Sequence, residues 1–228
     1  MIVAVHQPNF APWLGYFRKI AIADAFVFLD DVQFSKGSYT NRVRILSGGV
    51  QTWLSVPVSF NFGAPILAVD IGSDGFVEAH LRRLEVAYKC SASFRESWND
   101  VEAIYNSLPN APLGEINVAL VKMLCERLGI GTQFYRSSEL GYDNFASDDR
   151  LIALVAALDT NGTYLSGKGG ATYQDPSKFI EAGLSLEYLD FVCPSYRQVG
   201  GKEFVSGLSV FDAVFNLGFD GTAALIRS

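Results

Sequence analysis

Ile2 to Val5 is an unbroken apolar run, the mark of a strand buried on both faces, and it stops at the polar segment His6-Gln7-Pro8-Asn9. Pro12 then opens a stripe of Trp13, Leu14, Phe17, Ile20 and Ala21 at helical spacing that closes near Asp24. Ala25 to Leu29 returns as a second buried strand. Strand, helix and strand inside about thirty residues predict a βαβ unit with parallel strands and a right-handed crossover. The expected class is therefore α/β, a mostly parallel sheet with flanking helices.

Asp30 to Arg44 is polar with interleaved aromatics, too charged for a core, and is expected to be a loop at the ligand edge of the sheet. Gln51 to Phe60 and Ile66 to Ile71 predict further strands, interrupted by Pro57 and an Asn61-Phe62-Gly63 turn. Three helical stripes follow: Val77, Leu81, Leu84 and Tyr88; Val101, Ile104, Tyr105 and Leu108; and Ile116, Leu120, Met123, Leu124 and Leu128, the last ended by Gly129. They place a helical section at about 75–130.

Thr132 to Arg136 predicts a short strand, and Ser147 an N-cap for a helix bearing Leu151, Leu154, Val155 and Leu158. Thr163 to Leu165 predicts a buried strand running into Ser166-Gly167-Lys168-Gly169-Gly170. Asp175-Pro176 should start a helix that Gly183 ends, and Leu184 to Phe191 should form a last strand. Ser209 to Asp212 has a capping-box pattern with Asp in place of Glu, and Gly218 is expected to close that terminal helix. With no repeat, low-complexity stretch or linker, residues 1–228 are expected to form a single domain.

Composition narrows the function. Of 228 residues 49% are apolar, yet no apolar run approaches the roughly 20 that a membrane helix needs. The N-terminus lacks a signal-peptide pattern, so a cytoplasmic location is expected. Cys90, Cys125 and Cys193 cannot all pair, and with only two histidines, His6 and His80, neither a disulfide scaffold nor a zinc site is expected. A net charge of −6 speaks against nucleic acid as a partner. It does not speak against a small anion, because Lys36, Arg42, Arg44 and Lys168 fall at or after predicted strand ends.

Four clusters carry candidate chemistry. In the first, His6 ends the first strand, where open α/β sheets bind ligands, with Gln7 and Asn9 beside it. Gly15 at the adjacent helix start offers a backbone N–H to a phosphate. Trp13 fits a core anchor as well as a substrate contact. The second cluster holds Asp30, Lys36, Asn41 and Arg42, of which Asp30 terminates the second strand and Arg42 can fork onto a carboxylate or phosphate. The third is the loop Ser166, Gly167, Lys168, Gly169 and Gly170, whose amides could form an anion nest with Lys168 as a point charge. Its spacing is not that of a Walker loop. The fourth is Tyr196, Gln198, Asp212 and Asn216, the last two on one helix face. Each cluster also has a plain structural reading as turn, cap or solvated surface.

The segments HQPNFAPWLGYFRKI, FVFLDDVQFSKGSYTNRVRI, WLSVPV, YLSGKGGATY and YRQ with GLSVFDAVFNLG resemble, in order, the motifs of the WbqC-like protein family. The resemblance runs from His6 to Gly218. It implies a role in bacterial surface-polysaccharide (O-antigen, lipopolysaccharide) biosynthesis as a glycine or acyl transferase acting on amino sugars. Tyr173, in the fourth segment, is a further substrate-binding candidate. The first βαβ unit also looks like that of the nucleotidylyltransferase superfamily, although the positions of its HxGH histidines fall on Trp13 and Tyr16.

The leading expectation is an enzyme forming an amide between a small acyl group, such as glycine, and the amine of a nucleotide-linked amino sugar. Activation would use ATP and Mg²⁺ as an acyl-adenylate, or else a thioester donor. His6, Asp30 and Lys168 are the catalytic candidates, His6 as phosphate contact or general base, Asp30 for the attacking amine and Lys168 for phosphate charge. A non-catalytic nucleotide- or sugar-binding protein and an accessory subunit of a glycosyltransferase are the alternatives.

Overall fold

A computed structural model describes residues 1–73, 75–201 and 203–228. The expected opening unit is present as β1 (Ile2–His6), α1 (Leu14–Ile22) and β2 (Ala25–Phe28). A long excursion follows, with β3 (Arg42–Ser47), β4 (Val50–Ser55), β5 (Val58–Ser59) and β6 (Asp70–Ile71). The helical section comprises α2 (Phe76–Tyr88), α3 (Phe94–Asn106) and α4 (Leu113–Arg127). The chain then forms β7 (Gln133–Arg136), α5 (Ser137–Leu140), α6 (Ser147–Leu158), β8 (Thr163–Ser166), α7 (Pro176–Glu181), β9 (Ser185–Tyr188) and α8 (Val210–Arg227).

The five main strands form one parallel sheet in the order β7-β2-β1-β8-β9. β1 lies at the centre. From it the chain winds outward through β2 and β7 on one side, and later through β8 and β9 on the other. Alternate residues serve two cores. Ala4, Phe26 and Phe28 face the larger, built with α1, α4 and α8, whereas Val3, Val5, Ala25 and Val27 face a smaller one closed by Leu154, Val155 and Phe179. Helices on both faces explain why β1 and β2 are apolar at successive positions rather than alternating.

Several local expectations change. Ile66–Ala68 is a 3₁₀ turn, not strand, because the Ile66 and Leu67 amides donate to the carbonyls of Val32 and Asp30 and pin the segment beside the main sheet. Only Asp70–Ile71 remains extended. The strand expected over Gln51–Phe60 with an interruption at Pro57 is found as β4, ending at Ser55, and β5, starting at Val58. Conversely, the end of the polar stretch is ordered as β3, antiparallel to β4, with Val43 and Ile45 buried between outward Arg42 and Arg44.

Ser147 does not cap α6. It is the first residue of α6 but lies in the left-handed region at φ +52°, and Ala146 occupies the cap position. Asp175 does cap α7, accepting from the Ser177 amide, with Pro176 next. Asp212 does not complete a capping box, since the Ser209 amide donates instead to the Arg44 carbonyl. Gly218 does end a helix, as expected: at φ +74°, ψ 173° its backbone is not helical, and a second helical segment follows it within α8 to Arg227. A methyl group there would stand 2.6 Å from Glu96 Oε1.

Candidate functional site

β1 pairs with β2 as far as His6 and Phe28, but with β8 only from Ile2–Thr163 to Ala4–Leu165. The sheet therefore parts between β1 and β8, where its winding reverses. In open parallel sheets this crevice at the carboxyl ends of the strands is where ligands bind. A cavity of about 390 Å³ lies there, with walls from β1, α1, β8, the loop after β8, and Leu189 and Phe191.

His6 lines this cavity. Its Nδ1 lies 3.1 Å from the Gln7 carbonyl, which can only accept, so Nδ1 carries the hydrogen and Nε2 is left as acceptor. Tyr16 donates to the same carbonyl at 3.0 Å and packs edge-on against the imidazole. Burial, assisted by the nearby Lys19 charge, pushes His6 down to about 3. The imidazole is thus neutral at physiological pH.

Lys19 is the residue that sequence reasoning missed. Only 3% exposed, it donates from Nζ to the Val5 carbonyl at 2.9 Å, close to the point where the β1–β8 ladder ends. Among the described residues no carboxylate forms an ion pair with it. Burial lowers its pKa to about 7. Its signal was available in the helical stripe, because Lys19 follows Tyr16 by three residues and precedes Ile20, all three of them buried. A lysine inside the buried arc of a helix needs a partner that the rest of α1 does not supply.

The Ser166–Gly170 loop forms the opposite wall. It is a 3₁₀ turn over Lys168–Thr172, entered through Gly167 at φ −72°, and none of Gly167, Gly169 and Gly170 has a positive φ. The loop therefore lacks the alternating right- and left-handed form of an anion nest. Gly170 is demanded by packing: a Cβ there would lie 2.2 Å from Ser166 Oγ and 2.4 Å from Gln174 Oε1. Lys168 is 80% exposed at the rim, 3.6 Å from Asp190. Trp13, Gly15 and the largely exposed Tyr173 also line this cavity.

Other candidates lie elsewhere. Asp30 is buried at the end of β2, where both its oxygens accept from Ser137 and Ser138 of α5. Asn41 ties its own loop to Val56, accepting from Gly37 and donating to the Val56 carbonyl. Arg42 lies over the Trp53 ring at 4.0 Å, and Lys36 is exposed. Gln7 accepts from Thr40, and Asn9 is buried; neither lines the cavity. Of the charged candidates and His6, therefore, His6 and Lys168 lie at the cavity and Asp30 and Arg42 outside it.

The C-terminal cluster forms a second centre. Tyr196 and Gln198 both donate to Asp212 Oδ2, at 2.7 and 2.8 Å, while Asn216 accepts from the Val199 amide and donates to the Asp212 carbonyl. Burial raises the Asp212 pKa, against the opposing pull of these donors. Gln198 and Asn216 also line a separate cavity of about 500 Å³. The geometry makes this cluster a clamp holding Tyr196, Gln198 and Val199 on α8.

Residues 7–224 match the sequence profile of the WbqC-like protein family. The chain belongs to that family. This WbqC-like chain is 31% identical over 219 residues to the uncharacterized protein Rv1507c of Mycobacterium tuberculosis (strain ATCC 25618 / H37Rv), covering 95% of the chain and 94% of that relative. No solved structure matches the WbqC-like chain. Among its described residues no helix is long and apolar enough to cross a membrane.

Proposed function

We propose that this WbqC-like protein is a transferase that forms an amide between a small acyl group, glycine being one candidate, and the amine of a nucleotide-linked amino sugar used in surface-polysaccharide biosynthesis. One observation supports it above the others: the cavity at the sheet's reversal point is lined by two lysines and, among its described residues, no carboxylate. Such a site favours a phosphate-bearing ligand. Trp13, Tyr173 and Phe191 supply aromatic faces for a base or a sugar.

In this reading the phosphate lies between α1 and the Ser166–Gly170 loop, with Lys168 closing over it from the rim. His6, being neutral, orients the attacking amine by accepting an N–H at Nε2. At about 3 in the free protein it is too weak a base to take the amine's proton efficiently. Lys168 would offset charge developing on a phosphate leaving group. Asp30 and Arg42 play no part, because neither lines the cavity.

ATP fits this setting as a co-substrate that activates the acyl carboxylate. Magnesium finds no group of three or more His, Cys, Asp or Glu side chains among the described residues, so it would arrive on the nucleotide's own phosphates. The test is to incubate the protein with ATP, glycine and a panel of nucleotide-linked amino sugars, and to look by mass spectrometry for a glycyl mass increase and release of AMP. No product from any amino acid or thioester donor across the panel would overturn the transferase reading. Nucleotide binding without turnover would then make the chain a binding protein.

A further inference from the structure

The functional reading above seats a phosphate in the β1–β8 cavity between two lysines but does not say what the buried one, Lys19, contributes. Its placement is unusual. A lysine 3% exposed, with one hydrogen bond to a main-chain carbonyl and no ion-pair partner among the described residues, is held at a cost that a simple apolar residue in α1 would avoid. The ammonium carries three donors. Val5 takes one, at the split between β1 and β8, and the cavity lies against the same side chain.

We propose, resting on that reading, that Lys19 is the principal phosphate-binding charge of the cavity, and that a nucleoside diphosphate binds there with uptake of a proton onto the Lys19 amine. The step is a protonation alone: solvent supplies the proton, the amine becomes ammonium, and its remaining donors bond the phosphate oxygens. An entering anion provides the partner the side chain otherwise lacks, and so favours its charged form.

The surrounding groups fit this assignment. The titratable side chains lining the cavity are His6 from β1, Tyr16 from α1, Tyr164 from β8, and Lys168 and Tyr173 from the turn that follows. None is an acid. Lys19 Nζ lies 5.8 Å from the Tyr164 ring centroid. Two acids beside the lining residues are engaged with other groups: Asp190 after β9 pairs with Lys168 at the rim, and Asp148 of α6, close enough to influence Tyr164, accepts from the Asp175 amide. His6 titrates at about 3, far enough below neutrality to stay uncharged near pH 8. Proton uptake at that pH therefore reports Lys19.

The experiment is calorimetric titration of the full chain with UDP and, separately, ADP at about pH 8, in two buffers of different ionisation enthalpy. At this pH both diphosphates are fully ionised and contribute no proton of their own. The wild type should bind at least one of them with uptake approaching one proton. Lys19→Met should bind that probe on the order of tenfold or more weakly, with no uptake. Lys19→Arg, whose charge is permanent, should bind without uptake.

Binding by the wild type with no proton uptake, or equal affinity in Lys19→Met, would overturn the assignment while leaving the phosphate cavity intact. Failure of the wild type to bind either nucleotide at millimolar concentration would remove the nucleotide reading, and the assignment with it.

Discussion

The Lys19 ammonium and the Val5 carbonyl meet at 2.9 Å inside the protein, near the end of the β1–β8 ladder. A cation bound there to a neutral oxygen gains a hydrogen bond but not the charge pair that would offset its lost hydration.

That cost is measurable in the free protein. The folded pKa of about 7 lies below the ordinary lysine value of about 10.4. Between these values the unfolded chain binds more protons, so stability contributed at this site rises with pH over that interval, and the penalty is fully present below it. Lys19→Met should therefore stabilise the fold by on the order of 2–4 kcal/mol near pH 6, after allowance for the lost Val5 bond. The gain should shrink towards pH 10. Urea titrations at the two pH values provide the check, and equal effects at both would contradict the assigned charge state.

His80 gives an acid limb of the same kind. It is buried on α2, Nε2 lies 2.9 Å from the Ser55 carbonyl, and burial, the largest cause, lowers its pKa to about 4. The unfolded histidine takes its proton near pH 6.5, so stability falls as pH drops through the window from about 6.5 to 4. His6 extends the loss lower, towards its value of about 3. His80→Gln, which keeps a side-chain donor but does not titrate, should lose less stability than the wild type between about pH 7 and pH 4.5. Parallel loss in both proteins would place the acid sensitivity elsewhere.

Asp30 separates architecture from chemistry. Its carboxylate accepts from the Ser137 hydroxyl and from the Ser138 amide and hydroxyl, joining the end of β2 to α5 beside β7. Asp30→Ala should cost about 1–2 kcal/mol by removing the buried acceptor that ties α5 to the end of β2, the Ser137 hydroxyl keeping Asp31 and the exposed Ser138 groups turning to water. Nucleotide affinity measured on the folded fraction should be unchanged. A loss of binding with normal stability would return Asp30 to the site.

Gly170 tests the loop wall. An added methyl would overlap Ser166 Oγ and Gln174 Oε1, both on largely buried side chains. Gly170→Ala should destabilise by roughly 1–3 kcal/mol and displace the Lys168–Thr172 turn, weakening nucleotide binding. Gly169→Ala, with open space around its Cβ, should preserve both properties. Thermal unfolding and calorimetry on the pair distinguish a packing requirement from a general need for glycine.

The opening βαβ unit, the helical section and the Asp175-Pro176 cap were legible because each depends on local periodicity or on backbone groups a few residues away. Ile66–Ala68 was not, since its hydrogen-bond partners, Val32 and Asp30, lie far back in the chain. The kink at Gly218 was legible as a glycine that interrupts helix, but not as one after which helix resumes, because the onward segment is held by packing.

At the site, chain order and residue type were enough to single out His6 and the Ser166–Gly170 loop, since a polar break after a buried strand falls at the sheet's edge wherever the strand goes. They could not separate these from Asp30 and Arg42, which end or follow strands in the same way. Sheet order made that separation: β1 and β8, distant in sequence, became neighbours that part at their carboxyl ends, whereas Asp30 turned towards α5. Lys19 depended on tertiary contacts most of all. Its place between Tyr16 and Ile20 on the apolar arc of α1 marks Lys19 for burial, but how deeply β1 and β8 enclose it, and the want of a counter-charge, belong to the assembled fold.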